Sequence, residues 1–259
     1  MTSSVARMRD LTYPPVIAAA KLGFRVLGQR ITLTGTEHVP RTGGVMVAVN
    51  HIGYADFVYG GLAVNPAGRR VRFMAKRELF DHRLTGPLMR SLHHIEVDRG
   101  AGVASYRTAV EFLRAGECVG IFPEATISRA MELKEFKTGA VRIAADAGVP
   151  LLPVVLWGTQ RLMTKDHPKD FSSRGIPIHI RVGAPLHPQG EDPVAETAEL
   201  RSVMAAMLDE AIAGYPDEHQ PPGSWWLPRR HGGSAPTLDE AVALDVAEKR
   251  ERAARRTAQ

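Results

Sequence analysis

Val45-Met46-Val47-Ala48-Val49-Asn50-His51-Ile52-Gly53-Tyr54-Ala55-Asp56 is the most informative stretch of this chain. Its five leading apolar residues look like a buried strand. The run stops at Asn50-His51, which puts an imidazole at the exit of that strand. Active-site groups in α/β folds collect at this edge. Asp56 follows five residues after the histidine. A carboxylate there could fix the imidazole tautomer and stabilise its protonated form. The pair reads as a general base with its orienter.

Spacing alone does not select this pair, because His93/Asp98 and His187/Asp192 share it. His187 lies in the turn-rich Pro185-Leu186-His187-Pro188-Gln189-Gly190. His93 and Asp98 flank a strand-like run, where an odd spacing sends the two side chains to opposite faces. His51 and Asp56 can meet if the histidine lies in a turn and the aspartate in the first turn of the next helix, with Gly53 easing the bend. On this segment alone, a structural histidine beside a helix-capping aspartate is equally open.

Outward from this strand, further strand patterns fall at 31–34, 71–75, 95–97, 118–122, 151–156 and 176–182. Helical patterns fall at about 55–64, 84–91, 101–115, 138–147 and 194–213. The alternation predicts an α/β fold with a mixed, largely parallel central sheet flanked by helices. Residues 1–30 form an N-terminal segment. Within it, Pro14-Pro15 open a basic amphipathic helix that either lies in a membrane interface or caps the core. Residues 31–214 form the main domain. Residues 215–259 form a Pro/Gly-rich wrapping loop around Trp225-Trp226, followed by a helix. Thr237-Leu238-Asp239-Glu240 is a capping box that starts this helix, and its charged end from Glu248 to Arg256 is expected to be exposed and frayed.

The chain has 259 residues, is 44% hydrophobic and 24% charged, and carries a formal charge of +5. One cysteine, Cys118, excludes an internal disulfide and Cys-rich metal modules, and fits a reducing compartment. No apolar run approaches the ~20 residues of a spanning helix, and no signal peptide is evident. Cations concentrate in residues 1–30 and 69–99, which suits an anionic partner or plain solvated surface. Nucleic acid is disfavoured, because aromatic residues are 6% and do not interleave with the basic clusters.

Three further blocks carry chemistry. Phe122-Pro123-Glu124-Ala125-Thr126-Ile127-Ser128-Arg129 delivers a carboxylate, two hydroxyls and a guanidinium to one loop, and Lys137 follows at the start of a helix. Glu124 suits hydroxyl groups; Arg129 and Lys137 suit phosphate. Lys76 and Arg99 each follow a strand-like run and could point to the His51 edge. Val149-Pro150-Leu151-Leu152-Pro153 opens an apolar wall.

These four blocks, in this order and spacing, resemble the glycerolipid acyltransferase family that includes the lysophosphatidate acyltransferases. The match covers about residues 30–185. The resemblance implies that His51 removes a proton from an acceptor hydroxyl as it attacks an acyl thioester, with Asp56 orienting His51. Glu124, Thr126, Arg129, Arg99 and Lys137 would form the acceptor site, with Lys76 a lesser member. No metal or cofactor is implied beyond acyl-CoA or acyl carrier protein as co-substrate. The protein would work peripherally at the cytoplasmic face of a membrane on a lysophospholipid. Two positions depart from the family pattern: Ala125 stands for its Gly and Ile127 for its Arg. A different polar lipid or glycolipid acceptor therefore stays open, as does a non-catalytic membrane lipid-binding protein.

Overall fold

The structure, a computed structural model, describes residues 10–98 and 102–257. Seven strands form one sheet: β1 (Arg30–Thr34), β2 (Val45–Val49), β3 (Val71–Lys76), β4 (Ile95–Val97), β5 (Cys118–Ile121), β6 (Leu151–Trp157) and β7 (Pro177–Val182). Their spatial order is β1-β7-β6-β2-β5-β3-β4. Only the β6–β7 pairing is antiparallel among these neighbours. The sheet is thus mixed and largely parallel, as the alternating pattern predicts. Every residue of β2 and β6 is buried, which explains their unbroken apolar sequences: central strands covered on both faces have no polar side.

The α-helices are α1 (Tyr13–Val26), α2 (Asp56–Val64), α3 (Arg77–Asp81), α4 (Thr85–Ser91), α5 (Gly102–Arg114), α6 (Gly139–Ala147), α7 (Pro193–Ala213) and α8 (Leu238–Thr257). Alternate residues of β2 feed two cores. Met46 and Ala48 pack with Leu113, Ile143, Leu200 and Leu208 of α5, α6 and α7. Val45, Val47 and Val49 pack with Tyr59, Ala63 and Val64 of α2 on the other face. Phe24 of α1 stacks on Tyr59, with ring centroids 5.1 Å apart, so α1 caps this second layer. Its neighbours Leu22 and Val26 stay exposed.

The C-terminal segment is not an appendage. Trp225 stacks on His167 at 3.6 Å and packs against the first core, and Leu227, Ala235 and Ala241 are buried. Trp226 lies under the Arg161 guanidinium, 4.6 Å from its centroid. The capping box forms as its sequence predicts: Glu240 N–H donates to Thr237 Oγ1, and Thr237 N–H to a Glu240 oxygen. Where the charged end of α8 was expected to be solvent-exposed from Glu248 onward, Glu248 instead pairs with Arg129 and Lys165. Lys249, Arg250 and Glu251 are exposed. No helix among the described residues is long and apolar enough to cross a membrane.

Candidate active site

Strands β2, β5, β3 and β4 run parallel, so their C-terminal ends share one edge. His51 sits there, one residue beyond Asn50. Buried Asn50 pins the end of β2: its side-chain amide donates to Leu156 O (3.1 Å), and its oxygen accepts from Leu156 N (2.7 Å). The chain then turns, and Asp56 opens α2. The Asp56 side chain is fully buried and reaches back over that turn. Its Oδ2 accepts from Ile52 N and Gly53 N, both at 2.7 Å, and lies 2.9 Å from His51 Nδ1. Its Oδ1 accepts from the Thr159 hydroxyl at 2.6 Å. A carboxylate accepts and cannot donate, so the proton of the imidazole sits on Nδ1 and Nε2 keeps a free lone pair. Gly53 has no positive φ. It matters by donating its N–H and by leaving room for Met163 O and Thr159 O, which a Cβ would meet at 3.1 and 3.2 Å.

The other two histidine–aspartate spacings do not form pairs. Asp192 caps α7 by accepting from Val194 N and Ala195 N, and Asp98 pairs with Arg77.

The ring of His51 has 19% of its side-chain surface exposed and lies on Phe122, with centroids 4.1 Å apart. Phe122 lies in turn on Phe73 at 5.5 Å. Beyond Phe122, Pro123 and Glu124 occupy the corner of a turn closed by Ala125 N–H donating to Phe122 O. This corner sends Glu124 inward, where its Oε1 accepts from His51 N (2.8 Å) and its Oε2 from Lys134 N (3.0 Å). Burial pushes its carboxyl up to about 8, against those two N–H donors that pull it down. Both Glu124 oxygens are thus engaged by backbone. The carboxylate braces the histidine loop where the sequence pattern had it facing acceptor hydroxyls. Ser128 N–H donates to His51 O (2.7 Å) and adds a second brace.

Ala125 has φ +60°, a left-handed conformation that a Cβ disfavours. The backbone here therefore calls for the family's glycine. Ile127 is buried at 4% exposure, so that position serves the core in this chain.

The proposed anion contacts are less uniformly disposed. Thr126 Oγ1 accepts from Lys134 Nζ at 2.7 Å, and Lys134 also pairs with Asp245. Arg129 is 7% exposed and pairs with Asp166, Asp245 and Glu248, so its guanidinium is engaged by acids and does not stand open to a phosphate. Lys76 ends β3 on the His51 edge and is exposed. Lys137 is exposed two residues ahead of α6. Arg99 lies outside the described residues. Asn50, Phe122, Lys134, Thr159 and Lys165 were not singled out by the sequence patterns. Asn50 and Phe122 had a signal, their places beside His51 and at the head of the Phe-Pro-Glu block; Thr159 lies 103 residues from Asp56, and no local pattern joins them.

An apolar groove runs between α1, α2 and β3, lined by Ile17, Phe24, Phe57, Leu62 and Phe73. Phe73 belongs both to this groove and to the stack beneath His51.

Comparison with known proteins points the same way. A profile of the Acyltransferase family matches residues 30–157. The 1-acyl-sn-glycerol-3-phosphate acyltransferase of Bacillus subtilis (strain 168) is 31% identical over 177 residues, covering 68% of this chain and 83% of that protein. The protein of the same name from Borreliella burgdorferi is 26% identical over 178 residues, covering 66% and 68%. The crystal structure of the 1-acyl-sn-glycerophosphate (LPA) acyltransferase PlsC from Thermotoga maritima superposes with a TM-score of 0.66 at 25% identity, covering 78% of this chain and 80% of that one.

Proposed function

The chain belongs to the acyltransferase family, and on that premise we propose that it transfers a fatty acyl group from acyl-CoA or acyl carrier protein to the hydroxyl of lysophosphatidate, giving phosphatidate. The observation that carries this reading is the His51–Asp56 pair: an imidazole at the sheet edge whose Nδ1 is bound by a buried carboxylate 2.9 Å away. Nε2 takes the proton of the acceptor hydroxyl as its oxygen attacks the thioester carbonyl. The thiolate of the donor leaves, and the imidazolium held by Asp56 returns the proton to it. No protein nucleophile enters this sequence of steps. The base supplies about 10²–10⁴ of the rate, and alignment of the two substrates supplies much of the rest.

Glu124 and Ser128 keep His51 in register, and Phe122 supports its ring. The groove lined by Phe24, Phe57 and Phe73 suits the acyl chain, because its apolar walls match a fatty tail. Thr126, Lys76, Arg99 and Lys137 are acceptor-side groups, and Arg129 joins them once its acid partners are displaced. The exposed apolar residues of α1, Leu22 and Val26, and its basic residues Lys21 and Arg25 support contact with the cytoplasmic face of a membrane.

Purified protein given acyl-CoA and lysophosphatidate should release free CoA. His51→Ala should lower turnover by about 10²-fold or more with the fold intact by circular dichroism. Near-normal activity in that variant would remove His51 as the base. A second reading, acylation of another polar lipid, is favoured by buried Ile127 and by the acid-engaged Arg129. A panel of lysolipid and glycolipid acceptors decides between them by product mass.

A further inference from the structure

The segment after residue 214 returns to the loops that follow β5 and β6, and its last helix covers three cations carried by those loops. Asp245 of α8 pairs with Arg129, with Lys134 and with Lys165, the last at 2.9 Å. Glu248, one turn on, pairs with Arg129 at 3.0 Å and Lys165 at 3.3 Å. Lys134 is bonded both to Thr126 and, through its backbone N–H, to the Glu124 carboxylate that holds His51. The Glu124 side chain thus joins the backbone of Lys134 to the backbone of His51.

We propose that Arg129, Lys134 and Lys165 form an anion site for the phosphate monoester of the acceptor, and that Asp245 and Glu248 occupy it as a displaceable internal anion. Charge supports this. Three cations face three carboxylates, Asp166, Asp245 and Glu248. Withdrawal of the two on α8 leaves Asp166 alone, and an excess of two positive charges, which suits a phosphate monoester carrying about −1.5 to −2 at pH 7. The architecture supports it too. The cations and Asp166 lie on loops of the sheet edge, whereas Asp245 and Glu248 arrive on a separate helix.

Near its start that helix is also held by the Arg229–Glu240 pair. Among its described side chains, Ala241 is the one buried residue, and Val242, Leu244 and Val246 are exposed. These pairs are largely shielded, with side-chain exposures between 6% and 24%. Withdrawing the acids alone would leave the cations unpaired, so the contact is exchanged only for another anion that takes their place. The arrangement also accounts for a missing family arginine: with Ile127 buried, the phosphate partner comes from residues 129, 134 and 165.

The inference rests on the acceptor being a phosphate ester. Its test uses glycerol 3-phosphate as the probe. The double variant D245N/E248Q, titrated by calorimetry, should bind the probe about ten-fold tighter than the unaltered chain, because an occupied site lowers apparent affinity by the fraction that is open. In the unaltered chain, amide hydrogen exchange across residues 238–257 should quicken with glycerol 3-phosphate and not with sodium chloride of equal ionic strength. Equal affinity in the two proteins, or exchange of α8 indifferent to the probe, overturns the proposal. If the double variant does not fold, the exchange measurement decides alone. Failure to acylate lysophosphatidate, with both results as expected, would sink the acceptor reading and leave the anion site standing.

Discussion

Glu124 shows how one side chain can be misassigned when its neighbours are unknown. In the sequence it is a carboxylate beside hydroxyls and cations, suited to a substrate. In the fold it is buried, and each oxygen accepts from a backbone N–H. An amide cannot reproduce this: its nitrogen has no lone pair to offer an N–H donor, whereas the hydroxyl oxygen of a neutral carboxyl can turn its hydrogen aside and still accept. Glu124→Gln should therefore cost about 1–3 kcal/mol in chemical denaturation. The pH dependence has a definite sign. The folded state raises this carboxyl from 4.5 to about 8, so it holds the proton more tightly than the unfolded chain does. The advantage of the glutamate over the non-titrating glutamine should be full below about 4.5 and fade as pH rises through about 8. A gap that widens across that window would contradict the assignment. The adjacent Ala125 carries strain that the sequence hinted at only through the family's glycine. Ala125→Gly should gain roughly 0.5–1 kcal/mol, the left-handed penalty less the entropy of glycine, and raise Tm by about 2 °C. An unchanged or lower Tm would count against strain at that residue.

Between elements, the base depends on a column of rings: Phe73 on β3, Phe122 after β5, and His51 after β2. Gly120 of β5 makes that column possible. A Cβ there would lie 2.5 Å from Val71 Cγ1 and 2.6 Å from the Phe73 ring. Gly120→Ala should push Phe73, and through it Phe122, away from its present place. The expected result is a stability loss of about 1–3 kcal/mol and a lower kcat, read from denaturation and from CoA release on the same preparation. Loss of stability with normal kcat would show that the rings pack without supporting the histidine. The strands were legible in two ways: β2 and β6 as unbroken apolar runs, β1, β4 and β7 as alternating apolar and polar residues. The short helix α3 (Arg77–Asp81) was not, since Arg-Glu-Leu-Phe-Asp offers barely one turn and no periodicity.

Across the whole molecule, three distant parts of the chain meet at one cation cluster, with Arg129 at its centre and acids from residues 166, 245 and 248 around it. Arg129→Ala would leave those carboxylates to two lysines. A loss of about 2 kcal/mol is expected, between the values for exposed and buried pairs, and urea denaturation measures it. A neutral result would mean that α8 is held by other contacts. The sequence by itself determined the central strands, because burial of β2 and β6 on both faces demands unbroken apolar runs. It also placed His51 and Asp56, because a strand exit and a helix start lie five residues apart in one local stretch. Only the tertiary structure decided that Thr159 completes the Asp56 environment, that Glu124 braces a loop, and that α8 covers Arg129. Each of these is a contact between segments separated by 73 or more residues. Such contacts depend on how layers pack, and no periodicity or motif within a single segment encodes that.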